Sequence, residues 1–202
     1  KVILASSSPR RRELLNLLGV EVHVYLPDVD ECIQAEESPQ EMVVRLAEAK
    51  ARVVSERLPS ELILGADTAV IVDGRVLGKP KSSLEASEML DALRNREHQV
   101  VTGVVLMDGL SKKTFSGLSS SLVFIRNFSD SDKDSYIDSG QGMDKAGGYG
   151  IQDKPFNPVE RISGSYTNIV GLPLTLVTDL LIRAGYDTSE LTSPDDLESE
   201  NQ

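Results

Sequence analysis

Tryptophan is absent from this 202-residue chain and aromatic residues make up only 4% of it. A stacking platform for single-stranded nucleic acid therefore has little to be built from. Cysteine occurs once, at Cys32, which excludes an internal disulfide, and with only His23 and His98 beside it there is no Cys/His cluster of zinc spacing. The single thiol points to a reducing, cytosolic setting. Long apolar runs are missing as well. Nothing approaches the ~18 residues of a membrane span, and Lys1-Val2-Ile3-Leu4-Ala5 is too short for the apolar region of a signal peptide. The start at Lys1 without an initiator Met points to trimming, which leaves an upstream targeting segment open.

Basic charge is in short supply too, with 21 Lys and Arg against 32 Asp and Glu, a net charge of −11. Six acids beyond Arg183 (Asp187, Glu190, Asp195, Asp196, Glu198 and Glu200) carry −6 of it, so the body carries −5. That sign disfavours binding to duplex nucleic acid, which needs a basic face to displace counterions. An anionic small molecule remains compatible with a local gathering of cations, and Arg10-Arg11-Arg12 is one.

What is present is aliphatic: 40% hydrophobic residues, chiefly Val, Ile, Leu and Ala, enough for one core or for two lobes around a cleft. Val2 to Ala5 reads as a buried strand, followed by hydroxyl caps at Ser6-Ser7-Ser8 and a helix from Pro9 to Leu18 that Gly19 ends. Val20 to Leu26 alternates like a half-buried strand. Ser38-Pro39-Gln40-Glu41 is a capping box opening a helix whose apolar stripe is Val43, Leu46, Ala47 and Val54. Lys50 falls on that stripe, and a buried ammonium is costly unless it meets an anion. Leu62 to Val72 is apolar strand interrupted at Asp67-Thr68, Asp73-Gly74 turns it back, and Ser82 with Glu85 forms a second capping box for a helix from Ser83 to Leu93. A long hairpin (100–107 and 115–125), a short helix (129–139), a glycine-dense stretch (140–150), a strand at 159–162 and a helix from Pro173 to Ala184 complete the pattern. The acidic segment 187–202 reads as a disordered tail on a single domain, 1–186.

Four constellations carry candidate chemistry. Arginines in a first helical turn oppose the helix dipole, so Arg10 and Arg11 behind Ser6 to Ser8 imply an external anion; pairing with acids elsewhere is the alternative. Asp67 is a carboxylate set between apolar strand segments, suited to a general base or a metal ligand, or else to a turn or cap. Glu31, within Asp28-Val29-Asp30-Glu31, is a candidate second acid for a divalent cation, although a solvated loop is the simpler account of that cluster. Lys50 and Lys79 in Gly78-Lys79-Pro80 can reach phosphate as point charges, and Gln152, at the end of Asp144 to Gln152, offers both donor and acceptor to a base edge. No phosphate-loop GxxxxGK[ST], no GxGxxG after a strand and no GxSxG elbow is present, and Cys32 and His98 read as structural.

In order along the chain, Ser6-Ser7-Ser8-Pro9-Arg10-Arg11-Arg12-Glu13-Leu14-Leu15, Gly65-Ala66-Asp67-Thr68, Gly78-Lys79-Pro80, His98 to Val104, Asp144-Lys145-Ala146-Gly147, Gly150-Ile151-Gln152 and Gly164-Ser165-Tyr166 through Gly171-Leu172-Pro173-Leu174 resemble the Maf (septum-formation-inhibitor-like) family. The resemblance runs to about Ala184. It implies a bilobed α/β fold like that of inosine triphosphate pyrophosphatases, with an elongated mixed sheet, flanking helices and a central cleft. It also implies a nucleoside triphosphate substrate cleaved between the α and β phosphates, with Mg²⁺ or Mn²⁺ as cofactor. On that footing Asp67 accepts the proton of the attacking water and binds metal with Glu31, while Ser6, Arg10, Arg11, Lys50 and Lys79 hold the triphosphate. Arg10 after Pro9, Thr68 after Asp67, and Gln152 after Gly150-Ile151 resemble the members that act on dTTP and UTP, a reading that extends to modified pyrimidine nucleotides. Asn95, and Asp153-Lys154-Pro155 after Gln152, depart from the family's usual glycines, the second at the base end of the cleft. A noncatalytic nucleotide-binding regulator of cell division and a house-cleaning pyrophosphatase for modified purine nucleotides are the competing readings. The implied setting is cytoplasmic, without nucleic acid or membrane partners, and a homodimer is compatible with it.

Overall fold

The structure, a computed structural model, describes residues 1–199. Strands β1 (Val2–Ala5), β2 (Val22–Tyr25), β3 (Leu62–Val72), β4 (Arg75–Leu77), β5 (Arg96–Asp108), β6 (Thr114–Ile125) and β7 (Val159–Ser163) form one mixed sheet in the order β2-β1-β3-β5-β6-β7, with β4 on β3. β1 pairs parallel with β2 and β3, whereas β4 on β3 and β7 on β6 are antiparallel. Among the described residues seven α-helices accompany them: α1 (Pro9–Leu17), α2 (Pro39–Arg57), α3 (Ser83–Leu93), α4 (Asp130–Asp138), α5 (Tyr166–Val170), α6 (Leu174–Arg183) and α7 (Pro194–Ser199). None of the described helices is long and apolar enough to cross a membrane.

By its contacts the chain divides into two compact units, residues 1–68, 102–119 and 165 onward forming the first, and 69–101 with 120–164 the second. In the first unit the alternation of β1 decides the layers. Val2 and Leu4 point into a core with Leu14, Leu15 and Leu18 of α1 and Leu174, Val177, Leu180 and Leu181 of α6. Ile3 and Ala5 point the other way, into a core with Ala47, Ala51 and Val54 of α2. Period-two burial on both faces gives a strand apolar throughout. Two glycines bring α2 down onto the sheet: a Cβ on Gly65 would lie 2.1 Å from the Ala47 carbonyl oxygen, and one on Gly103 would lie 2.6 Å from the Val43 backbone.

In the second unit Asp73 and Gly74 turn β3 into β4 with positive φ at both positions, as the sequence anticipates. α3 buries Ala86, Met89, Leu90 and Leu93, and Tyr136 of α4 stacks on Phe156 with ring centroids 4.4 Å apart. Gly147, at φ +72°, lets the glycine-dense segment press against Val70 and Leu93.

Three details differ from the sequence reading. Ser82 caps α3 by accepting from the Glu85 amide, but the Glu85 carboxylate accepts from Lys81 N rather than from the cap, so the reciprocal box is displaced by one residue. β2 is a short edge strand, and Val24, expected on its buried side, is exposed. The acidic segment, expected as a disordered tail, is folded as far as Ser199: Thr192 N donates to the Leu18 carbonyl, Leu197 is buried in the first unit's core, and Pro194–Ser199 is helical. Two apolar side chains, Leu191 and Leu197, hold it there, and a net-charge argument is blind to them. Residues 200–202 of that tail lie outside the described residues.

Candidate functional site

α2's close seating on the sheet fixes the geometry of the site. Gly65 and Asp67 are two apart on β3 and share a face; Ala47 and Lys50 are three apart on α2 and share a face. With Ala47 seated on Gly65, Lys50 lies over Asp67. Its Nζ donates to Asp67 Oδ1 at 2.6 Å and is also 2.6 Å from Glu31 Oε1. Lys50 is 8% exposed, so the ammonium buried on the apolar stripe meets the anions that its burial requires. Asp67 Oδ2 has no hydrogen bond among the described residues.

A second cluster lies in the same unit around Arg11. Ser8 caps α1 and Pro9 occupies its first turn, which contains no acid. Arg11 turns inward: Nη1 donates to Ser6 Oγ at 3.1 Å, Nη2 to Thr68 Oγ1 at 3.1 Å and Nε to the Gly171 carbonyl at 2.9 Å. All three acceptors are neutral. Desolvation pushes the Arg11 pKa down, with the charges of Asp67 and Glu31 opposing that and Arg10 adding to it. A buried guanidinium with only neutral partners favours an incoming anion. Thr68 Oγ1 also lies 2.9 Å from Thr102 Oγ1, which donates to the Asn168 carbonyl at 3.3 Å.

Of the residues singled out from the sequence, Ser6, Arg11, Glu31, Lys50, Asp67 and Thr68 are thus joined into two bonded clusters on the first unit, linked by the adjacency of Asp67 and Thr68. Arg10 is half-buried in the first turn of α1. Lys79 and Gln152 belong to the second unit, where both side chains are exposed. Three participants went unread in the sequence. Thr102 offered the same signal as Asp67, a polar residue inside the apolar run Val100 to Val105. The carbonyls of Gly171 and Asn168 gave none, because a backbone acceptor has no residue type. Arg45, whose guanidinium feels the charge of Asp67, is tied mainly to Glu37.

Glu31 and Asp67 put two carboxylate oxygens on one cationic atom, the donor chemistry that hard divalent cations take. Among the described residues no group of three or more His, Cys, Asp or Glu has the geometry to hold a metal ion.

The family model for Maf-like proteins matches residues 1–184. This chain belongs to that family. Relatives named dTTP/UTP pyrophosphatase include those of Symbiobacterium thermophilum, 46% identical over 92% of this chain and 95% of the relative, and of Dictyoglomus turgidum, 43% identical over 92% and 97%. One from Geotalea uraniireducens with the same name is 42% identical over 91% and 95%. Among solved structures, the Staphylococcus aureus Ham1 protein is similar at a TM-score of 0.43 and 17% identity, over 61% of this chain and 71% of that one.

Proposed function

We propose that this Maf-like chain hydrolyses dTTP and UTP to the monophosphate and pyrophosphate in the presence of a divalent cation. The observation that carries the reading is the convergence of Asp67 and Glu31 on Lys50 beside a buried Arg11 that has only neutral partners. The names of the relatives at 42–46% identity supply the substrate class.

In this reading Arg11, Ser6 and Lys50 bind phosphate oxygens, with Arg10 adding charge. Asp67, held in orientation through Oδ1 by Lys50, takes the proton of a water through Oδ2 as the water oxygen bonds to the α phosphorus. The bond from that phosphorus to the bridging oxygen breaks, and pyrophosphate leaves with the electron pair. Glu31 and Asp67 would hold Mg²⁺ or Mn²⁺, with substrate phosphates completing the shell. Bound there, the cation neutralises charge on the phosphates, the contribution on which phosphoryl chemistry chiefly depends. Thr68 is assigned to recognition of the pyrimidine.

The deciding experiment assays pyrophosphate release from UTP, dTTP, inosine triphosphate and 7-methyl-GTP with Mg²⁺ or Mn²⁺. Preference for UTP and dTTP, lost on chelation, is expected. Preference for either purine nucleotide would overturn the role of Thr68, and nucleotide binding without turnover would leave a regulator in place of an enzyme.

A further inference from the structure

The Maf-like match ends at residue 184, yet the chain folds on to Ser199, and this extension reaches the framework of the candidate site. From Tyr186, whose amide closes onto the Leu181 carbonyl, the backbone passes the end of α1, where Thr192 N bonds the Leu18 carbonyl at 3.0 Å. α7 then buries Leu197 in the first unit's core and delivers the Glu198 carboxylate to the start of α5. Glu198 accepts from Ser165 Oγ and Thr167 Oγ1, both at 2.5 Å, from Tyr166 N at 2.6 Å and from Thr167 N at 3.3 Å. Bonds from hydroxyl or amide to a carboxylate are the stronger, shorter kind.

What Glu198 holds is the segment from which Arg11 takes its acceptor. The Thr167 carbonyl accepts from Gly171 N at 3.1 Å and Leu172 N at 2.9 Å, and the Thr167 hydroxyl accepts from Leu174 N at 3.1 Å. Gly171 in turn presents its carbonyl to Arg11 Nε, and Asn168 presents its own to Thr102, the partner of Thr68. Three successive hydrogen bonds therefore lead from Glu198 through Thr167 and Gly171 to the Arg11 guanidinium, all within the first unit.

We infer that Glu198 is a positioning residue: the carboxyl-terminal extension is a strap that sets α5, and through the Gly171 carbonyl it sets the direction of the Arg11 guanidinium. The residues assigned to chemistry are untouched by it. Its effect falls on the binding of phosphate by Arg11, a part of the inference that rests on the proposed hydrolysis of nucleoside triphosphates.

The test uses the full chain carrying E198Q, which keeps the shape but replaces one acceptor oxygen with a donor, and S165A, which removes one of the four donors together with the α5 cap, since Ser165 Oγ also accepts from Asn168 N at 2.9 Å. Two readouts are taken. Amide exchange at Gly171, Leu172 and Leu174, with the Arg11 Nε–H signal in the nitrogen-correlated NMR spectrum, needs no substrate. Steady-state hydrolysis of UTP needs one. In E198Q exchange should accelerate about tenfold or more at these three amides, the Arg11 signal should shift, and KM should rise about tenfold with kcat within about threefold; S165A should move all of these in the same direction. A loss of folded fraction alone would lower kcat and leave KM and the Arg11 signal in place, and that result would overturn the positioning role. Faster exchange confined to α7, or an unmoved Arg11 signal, overturns the strap. Should wild-type protein fail to hydrolyse any triphosphate, the functional reading falls, while exchange and the Arg11 signal still decide the strap.

Discussion

Lys50 Nζ and Asp67 Oδ1 lie 2.6 Å apart, their side chains 10% and 14% exposed, because Gly65 admits the backbone of Ala47 one turn before Lys50. The pair keeps the Asp67 side chain oriented while leaving Oδ2 for a proton. D67N retains the shape and the bond from Lys50 but removes the base. General-base removal costs on the order of 10²–10⁴ in rate, so kcat for UTP should fall at least 100-fold while nucleotide affinity, measured by calorimetry, stays within a few-fold. Turnover close to wild type would remove Asp67 from the chemistry.

Arg11 makes three bonds in three directions with Ser6, Thr68 and Gly171, a fan that a single ammonium does not reproduce. R11K should therefore raise KM by at least tenfold, since hydrogen bonds to charged groups contribute about 1.5–3 kcal/mol each. It should also lower the melting temperature, because a hydroxyl and a carbonyl lose their donor in a buried place. An unchanged KM would show that Arg11 is part of the scaffold alone.

The pattern of layers was readable because β1, β3 and α2 obey simple periods: Val2 to Ala5 is apolar on both faces, and Lys50 stands in helical register with Val43, Leu46 and Ala47. Burial of Lys50 followed from that register, and the cost of an isolated charge called for an anion beside it, but Asp67 and Glu31 as that anion came only with the structure. Asp67 and Thr68 were visible because polar residues break an apolar strand. Three things were hidden for physical reasons. The Gly171 carbonyl belongs to the backbone, the five-residue α5 is too short to show a period, and the tail's two anchoring leucines are diluted by its six acids. Inward rotation of Arg11 was legible but went unread, since Arg11 stands three, four and seven residues before Leu14, Leu15 and Leu18 and so shares their buried face of α1.

Gly65 and Gly78 make a matched pair for testing the seating of α2. A Cβ on Gly65 meets the Ala47 carbonyl oxygen at 2.1 Å, whereas one on Gly78 meets no atom within 4 Å. G65A must push α2 away from β3; overpacking of this kind costs about 1–3 kcal/mol or more, equivalent to several degrees of melting temperature at roughly 2–4 °C per kcal/mol. G78A should melt with the wild type. Because Lys50 rides on the displaced helix, G65A should also lose activity in excess of its loss of folded protein. Equal melting temperatures for the two variants would contradict the close approach.

His98 gives the fold an acid limit whose sign can be worked out. It is 3% exposed in β5, with Nε2 2.6 Å from the hydroxyl of Tyr149 and Nδ1 without a hydrogen-bond partner among the described residues. Burial lowers its pKa from 6.5 to about 4, so the folded protein keeps the ring neutral where the unfolded chain protonates it. Between those two values the unfolded state binds more protons, and stability rises with pH. The contribution is complete above pH 6.5, declines as pH falls through that window, and is gone near pH 4. Its size is about 3 kcal/mol, since each tenfold drop in the ring's proton affinity corresponds to roughly 1.4 kcal/mol. H98Q cannot titrate, so urea unfolding at pH 4.5 and 7.5 should show wild type losing about 2–3 kcal/mol more than H98Q on acidification. Other titrating groups are common to both proteins and cancel in the comparison. Parallel losses would mean that the His98 ring takes up its proton inside the folded protein.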